Sequence, residues 1–147
     1  MKQIIALGGG GFSMEPDNPL LDLYILEQSQ KETPKICFIP TASGDADSYI
    51  ARFYDFFEQQ NCEPTHLSLF KPPTQALEKF VLAQDIWKEW GLDRIIEKAW
   101  NQGIILAGIS AGSICWFEQG VTDSYGDELH PLSCLGFLSG SNCPHYD

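Results

Sequence analysis

The chain has 147 residues, enough for one domain with a single hydrophobic core, and its 44% hydrophobic and 20% charged residues are typical of a globular protein. Its net charge of −11 makes nucleic acids and anionic membrane surfaces unfavourable partners. No apolar run reaches the roughly 18 residues that a membrane-spanning helix needs, so the sequence predicts no membrane association.

The five cysteines stand at positions 37, 62, 115, 134 and 143. Their number is odd and no Cys-x-x-Cys pair occurs, so the pattern favours neither a disulfide framework nor a zinc site. Cys37 and Cys115 lie inside apolar segments and are interpreted as core residues. We therefore expect a cytoplasmic protein that uses neither a metal nor another cofactor.

The first half of the chain alternates between apolar runs and amphipathic stretches. The run over 3–9 is short and ends in glycine, which predicts a buried strand rather than a signal peptide. Asn18 and Pro19 supply an N-cap and a first-turn proline for the helix after it. In chain order, the pattern predicts a strand over 3–9, a helix over 18–30, a strand over 35–41, a helix over 45–61 and a strand over 64–70.

The second half continues this alternation. The pattern predicts helices over 74–84 and 87–103, a strand over 103–109 and a helix over 111–120. Strands that alternate with helices indicate a parallel sheet covered on both faces. We therefore predict the α/β class, with a single domain over 1–147 that packs three layers around a mostly parallel central sheet.

Residues 108–112, Gly-Ile-Ser-Ala-Gly, match the nucleophile-elbow pattern G-x-S-x-G between a predicted strand and a predicted helix. In such an elbow the serine adopts a strained backbone conformation that exposes its hydroxyl, and small residues on both sides let strand and helix approach closely. Ser110 is therefore the candidate nucleophile. The N–H of Ala111, aided by the following helix, is the candidate oxyanion-hole donor.

A serine nucleophile needs a base, and the chain has three histidines, His66, His130 and His145. His66 lies inside a predicted strand and is interpreted as structural. His145 follows a proline in a predicted loop and is the candidate base. His130, which follows acidic residues in a predicted loop, remains the alternative.

The third partner in such a site is a carboxylate that orients the imidazole. The acidic candidates after the serine are Glu118, Asp123, Asp127, Glu128 and Asp147. Asp123 is favoured because the order Ser110, Asp123, His145 is the one that α/β-hydrolases use. The 35 residues between serine and histidine are nevertheless too few for the intervening elements of that fold.

The glycine-rich stretch 7–13, LGGGGFS, follows the first predicted strand. Dinucleotide binding is disfavoured because no register of the stretch completes G-x-G-x-x-G/A. Gly9 and Gly10 are instead candidate substrate-binding residues, since glycine permits close backbone approach of the loop to the substrate or to the serine turn. Ser43 either lines the same site or, like Asp45, caps the helix that follows it.

The segments AGISAGSICWFEQGVTDSYG and GFLSGSNCPHYD, together with MKQIIALGGGGF and KICFIPTASGD near the N-terminus, resemble the serine peptidase family of dipeptidase E and cyanophycinase. This resemblance implies an α/β fold like that of class I glutamine amidotransferase domains, with a flavodoxin-like sheet. It implies Ser110 as nucleophile, His145 as base and Asp123 as the third member. It also implies a short peptide substrate, with N-terminal aspartate in the dipeptidase branch.

Two departures from the family pattern stand out. Family members carry a further strand and a GGGNT-like loop just before the helix predicted over 87–103, whereas here Ile86 is followed directly by Trp87. They also continue beyond the position of Asp147. We therefore expect that a segment between Ile86 and Trp87, whose loop supplies a second oxyanion donor, and a C-terminal part are missing from these 147 residues.

Two other functions remain open. A binding or scaffold protein on the same fold would retain the serine without turnover, and an esterase would use the same acyl chemistry on esters. Ser110-dependent turnover separates the first from a peptidase, and a preference for dipeptides over matched esters separates the second. A small peptide is the expected partner, and a homodimer is compatible with the sequence.

Overall fold

The computed structural model describes residues 1–70, 79–122 and 129–145. The strands in these ranges are β1 (Ile4–Leu7), β2 (Lys35–Phe38), β3 (Glu63–His66), β4 (Leu106–Ile109), β5 (Phe117–Thr122), β6 (His130–Ser133) and β7 (Leu138–Asn142). The helices are α1 (Leu20–Gln28), α2 (Asp47–Phe57), α3 (Lys79–Glu89), α4 (Leu92–Asn101) and α5 (Ala111–Ile114), with a 3₁₀ turn over Pro40–Ser43. In the described part of the chain, no helix is long and apolar enough to cross a membrane.

The chain forms two compact units, of which the first contains Met1–Gly9 and Phe80–Asp147 and the second contains Gly10–Lys79. In the first unit β1 pairs in parallel with β4, and β5 lies between antiparallel β6 and parallel β7. In the second unit β2 pairs in parallel with β3. The α/β class is thus confirmed, with parallel strands in small sheets, while the three-layer sheet and the single domain stay predictions.

The helices before β4 differ from the predicted ones. α3 runs without interruption through Ile86 and Trp87, and the Trp90 N–H donates to the Ile86 carbonyl at 3.0 Å. Gly91 then adopts a left-handed conformation, with φ 70°, and separates α3 from α4. The single helix predicted over 87–103 is therefore wrong, because a left-handed residue interrupts the helical backbone. The additional segment expected between Ile86 and Trp87 stays a prediction.

The helix after the serine turn is also shorter than expected. α5 ends at Ile114, and residues 117–120, predicted as the end of the helix over 111–120, belong to the strand β5, which has partners on both sides. A Cβ at Gly120 would lie 1.7 Å from Cγ2 of Ile114, so β5 packs directly on α5 at a position that only glycine can fill. Tertiary pairing here overrides the helical interpretation.

Several local predictions in the second unit are wrong. Pro19, not Asn18, is the N-cap of α1, and the Asn18 amide instead donates to the Glu15 carboxylate at 3.0 Å. Neither Ser43 nor Asp45 caps α2, because the N-cap is Ala46 and has no side-chain hydrogen bond.

Cys37 is exposed on β2 rather than part of the core, whereas Cys115 is buried as expected. The strand β2 alternates between exposed and half-buried residues, which is why an apolar segment leaves this thiol at the surface.

The core of the second unit is a cluster of four phenylalanines. Phe12, Phe38, Phe53 and Phe57 contact one another with ring centroids 4.8 to 5.7 Å apart, mostly edge to face. Three positions along α2, Phe53, Phe56 and Phe57, are buried, so the helix forms because its apolar face packs into this cluster.

Asp22 lies in the first turn of α1 and is 1% exposed. The backbone N–H of Phe12 donates to its carboxylate, but Oδ2 has no hydrogen-bond partner. Burial therefore raises the pKa of Asp22 to about 6, against the opposing effect of the Phe12 N–H. Because the carboxylate is buried and one of its oxygens has no hydrogen-bond partner, the fold favours the protonated form of Asp22 over the charged form.

We expect Asp22→Asn to alter the pH dependence of stability. Between pH 4 and 6 folded Asp22 holds a proton that the unfolded chain has released, so its contribution favours folding at low pH and is lost as pH rises through 6. The free energy of unfolding of the variant minus that of the wild type should therefore be about 2 to 3 kcal/mol larger at pH 7.5 than at pH 4. Urea unfolding at both pH values measures this, and an unchanged difference contradicts it.

Candidate active site

Ser110 occupies the turn between β4 and α5. Its backbone has φ 53° and ψ −116°, a conformation that non-glycine residues rarely adopt. This is the strained serine that the elbow pattern predicts. Such a residue costs on the order of 1–3 kcal/mol, so it persists only where its surroundings hold it in place.

The two glycines of the elbow have different roles. A Cβ on Gly108 would lie 1.9 Å from the carbonyl oxygen of Gly112 and 2.9 Å from Nε1 of Trp116, so β4 and α5 approach too closely for any side chain there. A Cβ on Gly112 would meet nothing within 4 Å. The close approach of strand and helix is confirmed, and it requires glycine at position 108 but not at position 112.

The hydroxyl of Ser110 is hydrogen-bonded to a histidine. Its Oγ lies 2.6 Å from Nε2 of His145, which follows it by 35 positions and is exposed. His145 also has a positive φ, 54°, so both members of the pair have unusual backbones. This distance permits proton transfer between the hydroxyl and the imidazole.

The end of β1 holds both backbones. The Ser110 N–H donates to the Leu7 carbonyl at 2.8 Å, and the His145 N–H donates to the Gly8 carbonyl at 3.3 Å. Two consecutive carbonyl groups therefore fix the serine and the histidine relative to one strand.

The other two histidines lie elsewhere. His66 is in the second unit, where its Nδ1 is 2.8 Å from the hydroxyl of Tyr54, in keeping with a structural role. His130 is the first residue of β6 and pairs with Thr122 of β5. Of the three histidines, His145 is the one that the structure brings within hydrogen-bond distance of Ser110 Oγ.

The predicted third member, Asp123, lies outside the described residues, as do Asp127, Glu128 and Asp147. The remaining candidate, Glu118, accepts a hydrogen bond from the Gly140 N–H at 2.8 Å. Over 1–70, 79–122 and 129–145 no carboxylate is hydrogen-bonded to the histidine ring of the site. The assignment of Asp123 stays a prediction.

The predicted oxyanion donor, Ala111, is the first residue of α5, where a backbone N–H has no acceptor within the helix. α5 has four residues, so the expected contribution of a helix dipole is small. Gly9 belongs to the first unit and Gly10 and Ser43 to the second. Gly10 has φ 79°, and the Ser43 hydroxyl donates to the Pro40 carbonyl at 2.8 Å. Substrate contact by Gly9, Gly10 and Ser43 stays a prediction.

Sequence reasoning missed two polar side chains beside Ser110. The hydroxyl of Ser113, which is completely buried, donates to the Ser110 carbonyl at 2.7 Å, and the Asn142 amide donates to the Ser113 hydroxyl at 2.8 Å. Each lies three positions from a site residue, since Ser113 follows Ser110 and Asn142 precedes His145. The helical spacing of the two serines is the signal that points to Ser113.

Neither the nearby Cys115 thiol nor a metal cluster among the described residues offers an alternative chemistry to that of Ser110. Burial raises the pKa of the Cys115 thiol, which makes it a poor nucleophile. Within the described ranges no group of three or more His, Cys, Asp or Glu residues has an arrangement that could hold a metal ion.

The glycine geometry predicts an asymmetric pair of variants. Gly108→Ala forces a methyl group into the Gly112 backbone and should lower the free energy of unfolding by at least about 2 kcal/mol. Gly112→Ala, the matched control, should stay within about 1 kcal/mol of the wild type or stabilise the helix. Urea unfolding of both proteins measures the difference, and equal effects contradict the close approach at Gly108.

The sequence of the chain is similar to those of known proteins. Peptidase family S51 matches residues 4–147. A protein of Bacillus subtilis (strain 168), "Uncharacterized peptidase YgaJ", is 60% identical in an alignment that spans 161 residues and covers all of this chain and 70% of the relative. That alignment is 14 positions longer than the 147-residue chain, so within it the relative has at least 14 residues at positions where this chain has none. The chain is a peptidase and belongs to peptidase family S51.

Proposed function

We propose that this chain is a serine peptidase that hydrolyses short peptides through an acyl-enzyme, with Ser110 as nucleophile and His145 as general base. The observation that carries the proposal is the 2.6 Å hydrogen bond between Ser110 Oγ and His145 Nε2, made by a serine with φ 53° between a strand and a helix. A hydroxyl in that conformation and with that partner is suited to nucleophilic attack.

The proposed reaction has two stages. Ser110 Oγ attacks the scissile carbonyl carbon while His145 Nε2 takes the hydroxyl proton, and the Ala111 N–H donates to the developing oxyanion. His145 then gives the proton to the leaving amine as the C–N bond breaks. A water molecule, deprotonated by His145, attacks the acyl-enzyme and releases the second product with a regenerated serine.

We assign Asp123 as the carboxylate that accepts a hydrogen bond from Nδ1 of His145. Asp123 directly follows Thr122, the last residue of β5, and β5 pairs with β7, which leads to His145. A carboxylate at Nδ1 holds the imidazole in the tautomer that leaves Nε2 free to accept the serine proton.

We also propose that the complete enzyme has the three-layer, flavodoxin-like sheet of the family, with a further strand and loop between Ile86 and Trp87. The Bacillus relative has at least 14 additional residues within the aligned range, which supports an additional segment in the complete enzyme, and a loop at this place would donate the second hydrogen bond to the oxyanion. An intact mass above 16.4 kDa for the protein from its own cells supports it, whereas a mass of 16.4 kDa contradicts it.

The substrate class follows from the family resemblance, whose dipeptidase branch cleaves dipeptides with N-terminal aspartate. The informative panel contains Asp-initiated dipeptides, the matched Asn-initiated dipeptides and p-nitrophenyl esters of similar size. Turnover of the esters without cleavage of any peptide would favour an esterase. Preference for the aspartyl over the asparaginyl peptides supports the dipeptidase assignment.

Ser110→Ala should lower kcat by roughly 10³-fold or more while the fold stays intact, because only the attacking hydroxyl is removed. Exposure to a fluorophosphonate should add one adduct to the wild type, seen by intact mass, and none to the variant. Exposed Ser141→Ala is the control and should keep both turnover and adduct. Full activity in Ser110→Ala refutes the proposal, and a wild type with neither turnover nor adduct favours a binding protein.

Asp123→Asn should lower kcat by roughly 10³-fold or more, because the amide no longer stabilises the imidazolium. Asp127→Asn, four residues further along, is the matched comparison and should stay within a few fold of the wild type. Steady-state kinetics of both variants decide the assignment. A large loss in Asp127→Asn with none in Asp123→Asn moves the third role to Asp127.

A further inference from the structure

The carbonyl group of Ser110 is held by two donors from one residue. The Ser113 N–H donates to it at 2.9 Å and the Ser113 hydroxyl at 2.7 Å. Ser113 is completely buried, so no water competes for these bonds. The oxygen therefore has one strongly favoured position.

That carbonyl belongs to the same peptide group as the Ala111 N–H. A trans peptide is planar, with its C=O and N–H pointing in opposite directions. Fixing the Ser110 oxygen on one side therefore fixes the direction of the Ala111 N–H on the other. The proposed oxyanion donor is thus oriented from behind, by a side chain that does not touch the substrate.

Asn142 determines which way the Ser113 hydroxyl points. Its amide nitrogen donates to the Ser113 oxygen at 2.8 Å. A serine hydroxyl has one proton, so an oxygen that accepts from Asn142 gives its own proton to the Ser110 carbonyl. Asn142 is the last residue of β7, paired with Gly120 of β5 and three residues before His145. The same strand end thus leads to the base and orders the hydrogen bond behind the oxyanion donor.

We propose that Ser113 and Asn142 form a positioning pair that aims the Ala111 N–H at the oxyanion of the transition state. This inference rests on the proposed serine peptidase function. Because the pair acts on a hydrogen bond that matters most when negative charge develops on the carbonyl oxygen, its loss lowers kcat and leaves KM nearly unchanged.

Three variants test the pair. Loss of an oxyanion donor lowers kcat by about 10² to 10³-fold, so misdirecting one should cost roughly 10 to 100-fold in Ser113→Ala and in Asn142→Ala, with KM within about 2-fold. Asn142→Asp presents acceptors instead of donors, which draws the Ser113 proton away from the Ser110 carbonyl, and it should lose at least as much as Asn142→Ala. Ser141→Ala, an exposed serine beside Asn142, is the control.

Two further measurements separate positioning from general loss of structure. A peptide aldehyde, which forms a tetrahedral adduct with an oxyanion, should bind each variant more weakly by about the factor lost in kcat, whereas a product peptide should bind unchanged. The double variant Ser113→Ala/Asn142→Ala should lose no more than Ser113→Ala alone, because Asn142 acts through Ser113. Additive losses, or losses in KM and product binding, overturn the inference.

The outcomes distinguish this inference from the proposed function. A wild type without Ser110-dependent turnover refutes the function itself. A wild type with such turnover, together with Asn142 variants of full kcat, refutes the positioning pair alone. If Ser113→Ala unfolds below assay temperature, the two Asn142 variants, which leave Ser113 in place, decide the matter by the same kinetic and aldehyde measurements.

Discussion

Two consecutive carbonyl groups at the end of β1 are the constraint on which the site depends. Leu7 receives the N–H of Ser110 and Gly8 receives the N–H of His145, so a single short strand fixes both backbones. Both residues have positive φ, which the chain adopts only where other contacts offset the cost. The parallel pairing of β1 with β4 supplies those contacts, because it brings the serine turn to the same end of the strand as the glycine that meets His145.

Close packing around the serine turn complements these hydrogen bonds. Gly108 brings β4 against α5, and Gly120 brings β5 against the same short helix at Ile114. A four-residue helix has little stability of its own, so its position comes from being enclosed on both sides. Trp116, next to Trp87 and Phe137, closes the apolar side of this arrangement. The hydroxyl of Ser110 is thus presented by a turn that packing holds rigid.

The local signals in the sequence were sufficient for the serine turn and for most strands. The apolar runs that lead to Leu7, Phe38 and Ile109 predict strands that the structure contains, and all three strands pair in parallel. Sequence reasoning failed where long-range contacts decide the outcome. The segment after Cys115 has a helical pattern but pairs with two strands, and Asn142 gains its role from a serine 29 positions away. The choice of His145 over His130 rested on local context, whereas the geometry depends on the carbonyl of Gly8.

The pairing of β1 with β4 joins residues that are far apart in the chain. Ile4 lies opposite Leu106, 102 positions later, and the whole second unit is inserted between them. Closing so long a loop is costly in entropy and slow, so we expect the pairing of β1 with β4 to form late in the folding of the first unit. During synthesis β1 leaves the ribosome before β4, β7 and His145, and its pairing has to wait for them. The hydroxyl of Ser110 therefore meets its histidine only after His145 has been translated, and a chain that terminates between the two residues carries the serine without its partner.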